Sequence, residues 1–456
     1  MTAHEPDGRE DATASDREPE HLYLCIDLKS FYASVECVDR GFDPFKTNLV
    51  VADPSRGRST ICLAITPAMK ALGVRNRCRL FEIPADVEYR TARPNMRHYM
   101  EVSAQIYGIY LEYVSPQDVH VYSVDECFID VAPYLRLYRT SARELARRLM
   151  AAVRGRTGIC ATVGIGPNLF LAKVALDITA KHVADNIGCL DEEAFRRIIW
   201  PHRPITDIWG IGGGTARRLA RYGVRDLMGV AALDPGVLYR EFGVTAEYLI
   251  DHAFGRERCT IADIRRYRPA ATSMVNGQVL PENYTCDEAR NVLHEMVELS
   301  VLDLVERGEV ADHLSLHVGY ARRARLSGAR FIGEHGPKRI GGRPAAEHGG
   351  KSRKIPVRTN SRRKLLGYFD ELFEEAVDPA RDIRRISIGF GNLLPEELAA
   401  SDLFCDTGAE ERERDLLRAV IAVKHRFGKN SLLTGANFAK KATGRERNEQ
   451  IGGHHA

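Results

Sequence analysis

The sequence predicts a multidomain fold of the α/β and α+β classes, and three observations predict it. From residue 21 to about residue 189, apolar strand patterns alternate with helical ones, as in a mixed sheet covered by helices. Between 190 and 262 the strand patterns vanish and short helices follow one another. From 271 to 394 the pattern strand–helix–strand occurs twice, which favours a separate α+β domain. A chain of 456 residues is long enough for two to four domains.

The region 21–189 contains the clearest individual elements. An apolar strand ends at Leu28, a polar turn follows, and a helix begins near Phe31. A later helix has a capping serine at Ser141 and a terminating glycine at Gly158. These signals predict a helix-covered sheet whose strands include the segment around residue 25.

Both ends of the chain are polar. Residues 1–20 are acidic and have no apolar core of a signal peptide, so we expect a disordered lead-in. Residues 395–456 contain one helical pattern, near Glu410 to His425, and the charge of the tail suggests exposure.

Composition excludes several classes of protein. No apolar run approaches the roughly 18 residues of a membrane helix, and the net charge of +3 is too small to indicate a partner. The ten cysteines are scattered without zinc-type spacing, which predicts free thiols in a reducing cytoplasm. We therefore expect a cytoplasmic protein without a membrane partner.

Two adjacent acids interrupt an apolar hairpin pattern in VYSVDECFIDVA, residues 121–132. Neighbouring side chains of a straight strand point to opposite faces, but Asp125 and Glu126 can converge at a turn or bulge. Close carboxylates repel each other, and a shared divalent cation offsets that cost. The alternative is that both are ordinary exposed turn residues.

A third acid, Asp27, lies near the end of the first apolar strand, in LYLCIDL. Three carboxylates at one sheet edge are the minimum for a two-metal phosphoryl-transfer site. The alternative for Asp27 alone is a helix N-cap.

Four segments in this order, CIDLKSFYASVE, YSVDECFIDV, TVGIGPNLFLAKVA and DIWGIGGGTARRL, resemble the Y-family (DinB/UmuC-type) translesion DNA polymerases. The resemblance extends from about residue 21 to 394 and is greatest to the UmuC-like branch of Gram-positive bacteria and mobile elements. It implies a right-hand polymerase. Its parts would be a mixed-sheet palm with small fingers (about 55–94) in 21–189, a helical thumb in 190–262 and a little finger in 271–394.

The resemblance implies two Mg²⁺ ions and an aromatic steric gate against ribonucleotides. The implied metal ligands are the side chains of Asp27, Asp125 and Glu126 and the carbonyl of Leu28. Asp27 and Glu126 would position the ion that activates the primer 3′-OH, and Asp125 would bridge both ions. Tyr32, with Phe31 beside it, matches the gate, although both rings are also suited to a core.

The resemblance also implies cations for the triphosphate. Lys70 and Lys181 match best, and Lys181 requires a one-residue shift. Pro67 stands where one branch of the family has a tyrosine, so Thr66 is the candidate replacement for that contact. Solvated surface lysines are the alternative interpretation.

Two regions are expected to contact DNA. In the predicted thumb, a helix-hairpin-helix turn is indicated by Gly210, Gly212 and Gly213, followed by Arg217 and Arg218. From residue 322 to 364 there are fourteen Lys and Arg against two Glu, a phosphate-binding pattern. Its candidate contacts include Arg353, Lys354 and Arg358.

Near the end of the chain, AASDLFCD resembles the short clamp-binding peptide of bacterial polymerases. Leu403 and Phe404 would enter the hydrophobic pocket of a sliding clamp. The family also implies primer–template DNA and dNTPs as partners, with an accessory mutagenesis subunit as a further possibility and regulation by the DNA-damage (SOS) response.

These features predict an error-prone translesion DNA polymerase that adds dNTPs to a primer 3′-OH by two-magnesium phosphoryl transfer. A catalytically idle DNA- and clamp-binding adaptor on the same fold is the first alternative, and its signature would be loss of the carboxylates. A nucleotide cyclase is the second, but it has no use for a helix-hairpin-helix or a basic domain.

Overall fold

A computed structural model describes residues 20–268, 272–321, 348–398 and 407–455. The chain divides into two compact units, Met1–Tyr267 and Arg268–Ala456. The predicted disordered lead-in (apart from residue 20), most of the basic run and the clamp-like peptide lie outside the described residues.

The first unit is built on a mixed five-stranded sheet, as the alternating pattern predicts. Its strands are β1 (Tyr23–Leu28), β2 (Leu49–Val51), β3 (Ala64–Ile65), β4 (Arg90–Ala92), β5 (Val119–Val121), β6 (Glu126–Asp130), β7 (Ala161–Gly166) and β8 (Ile187–Cys189). The main sheet has the order β5-β6-β1-β7-β8, antiparallel except between β7 and β8. Because β1 lies between β6 and β7, its carboxyl end is next to the start of β6, where the two adjacent acids of the hairpin lie.

Helices cover this sheet and continue beyond it. They are α1 (Phe31–Asp39), α2 (Pro67–Ala71), α3 (Met96–Tyr110), α4 (Ala132–Tyr138), α5 (Ala142–Thr157), α6 (Leu169–Val174), α7 (Glu192–Ala194), α8 (Gly213–Ala220), α9 (Leu227–Ala232), α10 (Pro235–Phe242), α11 (Ala246–Ala253) and α12 (Ile261–Arg266). The predicted caps of α5 are present, since the Ser141 side chain accepts a hydrogen bond from Glu144 N and Gly158 has a φ of 69°.

A second, three-stranded sheet, β3-β2-β4, belongs to the segment that follows α1. Together with α2 it encloses a small apolar cluster of its own that includes Ile65, Met69, Val74, Cys78 and Leu80. This separate cluster makes the segment a compact appendage of the first unit.

A π-helical turn, Ala175–Thr179, continues α6. Such a turn closes hydrogen bonds between residues five apart and therefore carries one more residue than an α-helical turn. Lys181 lies directly after this turn, so the turn sets the position of the candidate that required a one-residue shift.

The second unit is an antiparallel sheet with helices packed on it. Its strands are β9 (Ser273–Tyr284), β10 (Glu309–Tyr320), β11 (His348–Thr359), β12 (Ile383–Gly391), β13 (Leu394–Pro395), β14 (Gln450–Ile451) and β15 (His454–His455), and its helices are α13 (Cys286–Arg307), α14 (Arg362–Ala376), α15 (Thr407–Phe427) and α16 (Gly444–Asn448). The main sheet has the order β11-β10-β12-β9. The two predicted strand–helix–strand repeats are therefore present, and α13 and α14 bury one core against the sheet.

The C-terminal tail is mostly exposed or half-buried, as its charge suggests, but Thr443 and Gly444 near its end are buried. Glu295 of α13 is buried, and its carboxylate accepts hydrogen bonds from Thr443 N at 2.8 Å, Gly444 N at 3.0 Å and Asn437 Nδ2 at 2.7 Å. The tail is fixed to α13 because three of its N–H groups donate to the same buried carboxylate of Glu295. The acceptor lies about 150 residues earlier in the chain, so charge in the tail alone does not reveal it.

We expect Glu295→Ala to lower the melting temperature by several degrees and to free the tail. Each donor left unsatisfied in a buried site costs about 1–3 kcal/mol. Thermal unfolding and limited proteolysis measure the two effects. Glu306→Ala, on the exposed face of the same helix, is the matched control, since it removes only a surface contact with His425 at 3.0 Å, and exposed pairs of this kind contribute little. Equal melting temperatures for the two variants would contradict the anchoring role.

None of the helices in the described ranges combines the length and the apolar character of a membrane span. The nine cysteines within these ranges are free thiols. Of the three in apolar runs, which we expected to be buried, Cys25 and Cys127 are buried and Cys160 is partly exposed.

Candidate active site

The β5–β6 hairpin places the two adjacent acids beside the third. Tyr122 N and Ser123 N both donate to Glu126 O at 3.0 Å, which closes the turn. In the antiparallel register Glu126 is paired with Asp27, and Leu28 N donates to Asp125 O at 2.9 Å. The three acids therefore lie together where β1 ends and β6 begins.

The side chains of the two adjacent acids have different partners. Ser123 Oγ donates to Asp125 Oδ1 at 2.8 Å within the turn. Glu126 Oε1 accepts from Cys25 Sγ at 3.2 Å and lies 2.8 Å from Lys173 Nζ. Asp125 is therefore held by its own turn, and Glu126 is held by β1 and α6.

Asp27 is buried beside two other carboxylates. Burial, the largest cause, and the charges of Asp125 and Glu126 together raise its pKa to about 7. The positive charges of Lys181 and Lys173 lower the pKa but do not offset these effects. The carboxylate cluster thus has excess negative charge that a bound cation would relieve.

The donors fit a hard divalent cation in chemistry and charge. Among the described residues, no three His, Cys, Asp or Glu side chains are grouped closely enough to hold a metal ion by themselves. Mg²⁺ is usually held by one or two protein carboxylates together with waters and substrate phosphates, so a preassembled cage is not required. The acids fit a cation that binds together with a phosphate substrate.

Because the Asp27 carboxyl titrates near pH 7, we expect Mg²⁺ to compete with a proton there. The Mg²⁺ concentration that gives half-maximal primer extension should fall by up to about tenfold as pH rises from 6 to 7. Above pH 8 this concentration should no longer change. Mg²⁺ titration of the reaction at each pH measures this, with the rate at saturating Mg²⁺ as the internal reference. A half-maximal concentration that does not change with pH would contradict the assignment.

Lys173 is a site residue that the sequence interpretation missed. It is buried in α6, between Glu126 Oε1 at 2.8 Å and Asp177 Oδ2 at 3.0 Å. Burial alone lowers the pKa of Lys173, but the hydrogen bond to Glu126 and the two carboxylate charges outweigh it, so the pKa is raised. A lysine within the apolar run LFLAKVAL, with an acid four residues later, is the signal that was available.

The two candidate gate aromatics have different environments. Phe31 is 2% exposed and belongs to the core, whereas Tyr32 is partly exposed. Burial raises the pKa of Tyr32, and the charge of Asp125 raises it further. Tyr32 is therefore both partly exposed and close enough to Asp125 for that charge to raise its pKa, which favours Tyr32 over Phe31 as the gate.

The candidate triphosphate cations lie around the same acids. Burial is the main cause that lowers the pKa of Lys70. The charge of Asp27 raises this pKa and the charges of Lys181 and Lys29 lower it, so all three groups lie near Lys70. Lys181 Nζ lies 3.3 Å from Asp177 Oδ1. Lys29, in the turn after β1, is an additional cation that the sequence interpretation did not single out.

Thr66 is placed differently from the expectation. It is fully buried, and its Oγ1 accepts a hydrogen bond from Leu49 N at 3.2 Å. The hydroxyl is occupied in holding β2 against the start of α2. Its side chain is therefore not available for the triphosphate contact that was expected of it.

The glycines of the predicted helix-hairpin-helix form an open turn before α8. Gly210 has a φ of 86°, which favours glycine, and no atom of the described residues lies within 4 Å of a Cβ position at Gly210 or Gly212. At Gly213 the nearest atom is Arg217 Nη1, at 3.7 Å. Arg218 donates to Glu241 at 3.2 Å and lies over the Phe242 ring. The turn leaves backbone accessible, but Arg218 already has partners.

Seven of the fourteen cations of the predicted basic run lie within the described residues, and acids from elsewhere in the second unit neutralise much of this part. Arg353 pairs with Glu371 and Glu375 of α14, and Arg358 lies 2.9 Å from Asp312. Lys354 is different, since its side chain is 73% exposed and 4.0 Å from Asp312. Of the three named cations, Lys354 is the most available to DNA.

Comparison with known proteins places the chain in a family. Sequence models of the impB/mucB/samB family match residues 26–177, and those of its C-terminal domain match residues 271–403. DNA polymerase IV 2 of Bacillus subtilis (strain 168) is 29% identical over 446 residues, covering 96% of this chain and 99% of that protein. UvrX of the same organism, named for UV-damage repair, is 27% identical over 96% of this chain and 98% of its own length.

Among solved structures, a Y-family DNA polymerase chimera, Dbh-Dpo4(243-245)-Dbh, superposes with a TM-score of 0.57 at 19% identity, over 82% of this chain and 99% of the chimera. The predicted fold class, a mixed sheet with helices and a separate C-terminal sheet domain, is confirmed. The chain belongs to the impB/mucB/samB family and has the fold of the Y-family DNA polymerases.

Proposed function

We propose that this protein is a template-directed DNA polymerase of the lesion-bypass type. One observation carries the proposal: three acids, a partly exposed aromatic ring and several lysines surround the end of β1 in the first unit. That combination provides for cation binding, sugar selection and triphosphate binding at one place. Relatives named for DNA polymerase IV and UV-damage repair support it.

In the proposed reaction, the 3′-OH of a primer attacks the α-phosphate of a dNTP and pyrophosphate leaves. Two bound Mg²⁺ ions would supply activation of the attacking oxygen and charge neutralisation of the leaving group. Asp27, Asp125, Glu126 and the Leu28 carbonyl are the residues that would hold them. Lys70 attracts the triphosphate, and Tyr32 occupies the space that a ribose 2′-OH would need. Lys181 and Lys29 are weaker candidates for the triphosphate, because Lys181 pairs with Asp177 and Lys29 donates to Asn186.

For DNA binding, the proposed contacts are backbone groups of the glycine turn at 210–213, together with Arg217 and Lys354. We retain Arg218, Arg353 and Arg358 as weaker candidates because each already has an acidic partner. The domain boundaries at 189, 262 and 394, a sliding clamp bound through Leu403 and Phe404, and an accessory mutagenesis subunit remain proposals on the family resemblance.

Low fidelity is the expected property of this polymerase. The segment of about 55–94, the proposed fingers, packs around a small apolar cluster. Little protein would then close on the nascent base pair, and base selection would depend mostly on base-pair energetics. An error-rate assay that returned replicative accuracy would contradict this expectation.

Extension of a labelled primer on undamaged and abasic templates tests the proposed function. Purified protein with Mg²⁺ and dNTPs should extend both primers. Binding of DNA without extension, even with the clamp added, would favour the idle adaptor. Absence of DNA binding would instead favour the cyclase.

A further inference from the structure

The ring of Tyr32 is supported from behind by a second tyrosine. Tyr99, in α3, stacks on it with ring centroids 4.7 Å apart and an interplanar angle of 28°. Tyr99 is fully buried, whereas Tyr32 is partly exposed. The pair therefore has one ring partly exposed, near enough to Asp125 to be influenced by its charge, and its other ring in the protein interior.

The supporting ring is itself anchored. Tyr99 Oη donates to Glu36 Oε1 at 2.5 Å, and Glu36 is 4% exposed in α1, one turn after Tyr32. Arg40 pairs with the other oxygen of Glu36 and donates to the Glu36 carbonyl at 2.7 Å. Burial raises the pKa of Tyr99, and the hydrogen bond to Glu36 raises it further, so its hydroxyl remains a donor.

A second link fixes the helix that carries Tyr99. Asn95 caps the start of α3 by accepting from His98 N at 3.1 Å, and His98 Nε2 lies 2.8 Å from Asp39 Oδ2 at the end of α1. The helix of the supporting ring is thus tied to the helix of Tyr32 at two points. Tyr99 cannot move away from Tyr32 without breaking its buried hydrogen bond to Glu36.

We propose that Tyr99, anchored by Glu36, is a positioning residue that decides how strictly the site excludes ribonucleotides. The inference rests on the proposed function, in which Tyr32 is the sugar gate. A gate rejects a 2′-OH only if its ring cannot move back by the width of an oxygen atom, and the stacked, anchored Tyr99 occupies the space behind it. The anchor therefore determines sugar selectivity without touching the nucleotide.

The test is the ratio of kcat/KM for dCTP to that for rCTP opposite template dG. Tyr99→Leu removes the supporting ring, and we expect the ratio to fall roughly 10–200-fold, the range by which steric fit discriminates small groups. Tyr99→Phe and Glu36→Gln keep the ring but weaken its anchor, and should lower the ratio roughly 2–10-fold. The conservative pair also covers the case in which Tyr99→Leu fails to fold.

Tyr107→Leu, on the same helix, is the matched control, and its ratio should equal that of the wild type. A merely structural role for Tyr99 would lower both kcat/KM values together and leave their ratio unchanged, which would overturn the inference. Tyr32→Ala tests the gate role of Tyr32 separately from the positioning role of Tyr99. If Tyr32→Ala lowers the ratio while the Tyr99 and Glu36 variants do not, Tyr32 is the gate but Tyr99 does not position it. If Tyr32→Ala also leaves the ratio unchanged, Tyr32 is not the gate.

Discussion

Replacement of Asp125 by Asn together with Glu126 by Gln is expected to reduce primer extension by at least about 10³-fold. Both changes keep the size of the side chain and most of its hydrogen bonding, including the contact with Ser123 Oγ at 2.8 Å. They remove the negative charge that raises the pKa of Asp27 and that a divalent cation would neutralise. Single-turnover incorporation of one dNTP into a labelled primer measures the loss.

The same double variant should bind primer–template DNA as tightly as the wild type, because the proposed DNA contacts lie elsewhere. Fluorescence anisotropy with labelled DNA measures this. Asp130→Asn is the matched control, since Asp130 is at the other end of β6 and pairs with His21 at 2.6 Å. Wild-type extension by the double variant, or equal loss in the control, would contradict the assignment of the acids.

Replacement of Lys173 by Met is expected to have the second-largest effect. Lys173 holds Glu126 at 2.8 Å from within the protein, so its loss leaves Glu126 and Asp177 without their shared cation. Outer partners of metal ligands typically contribute about 10–100-fold in metal affinity or activity. We expect extension at limiting Mg²⁺ to fall by that factor, with partial recovery at high Mg²⁺. Extension measured across a Mg²⁺ titration tests the expectation.

Lys173→Arg is the informative companion, because it keeps the positive charge with a different shape. It should retain more activity than the methionine variant at every Mg²⁺ concentration. Removing one partner of a buried ion pair also costs roughly 3–5 kcal/mol of folding stability, so unfolding must be monitored in parallel. If Lys173→Met loses stability but keeps the wild-type Mg²⁺ dependence, Lys173 is structural and does not position Glu126.

The sequence was sufficient to predict the position of the acids but not their side-chain partners. Alternating apolar residues fix the strand and the hairpin around Asp125 and Glu126, and the apolar run before Asp27 fixes β1. Which side chain each acid meets depends on the layer beneath the sheet. Lys173 enters that layer from α6. The apolar run around it marks the lysine as unusual, but its pairing with Glu126 is a tertiary contact that the run does not specify.

The number of positive charges along the sequence was a poor guide to which cations are available to contact DNA. The run from 322 to 364 has an excess of twelve positive charges in sequence, yet Arg353 meets Glu371 and Glu375 of the neighbouring helix. Thr66 is a similar case for a polar side chain. It was expected to contact the triphosphate, but it is buried and its hydroxyl accepts a hydrogen bond from Leu49 N of β2. Sequence windows do not include partners brought by tertiary contacts.

The most direct test of the central claim is to count divalent cations in the assembled complex. Electron paramagnetic resonance of Mn²⁺ can be recorded with protein, primer–template DNA and a non-hydrolysable dNTP analogue. The account predicts two protein-dependent Mn²⁺ ions in the wild type and loss of tight binding in the Asp125→Asn/Glu126→Gln variant, with DNA binding retained. Equal Mn²⁺ binding by the two proteins would show that these carboxylates do not form the metal site.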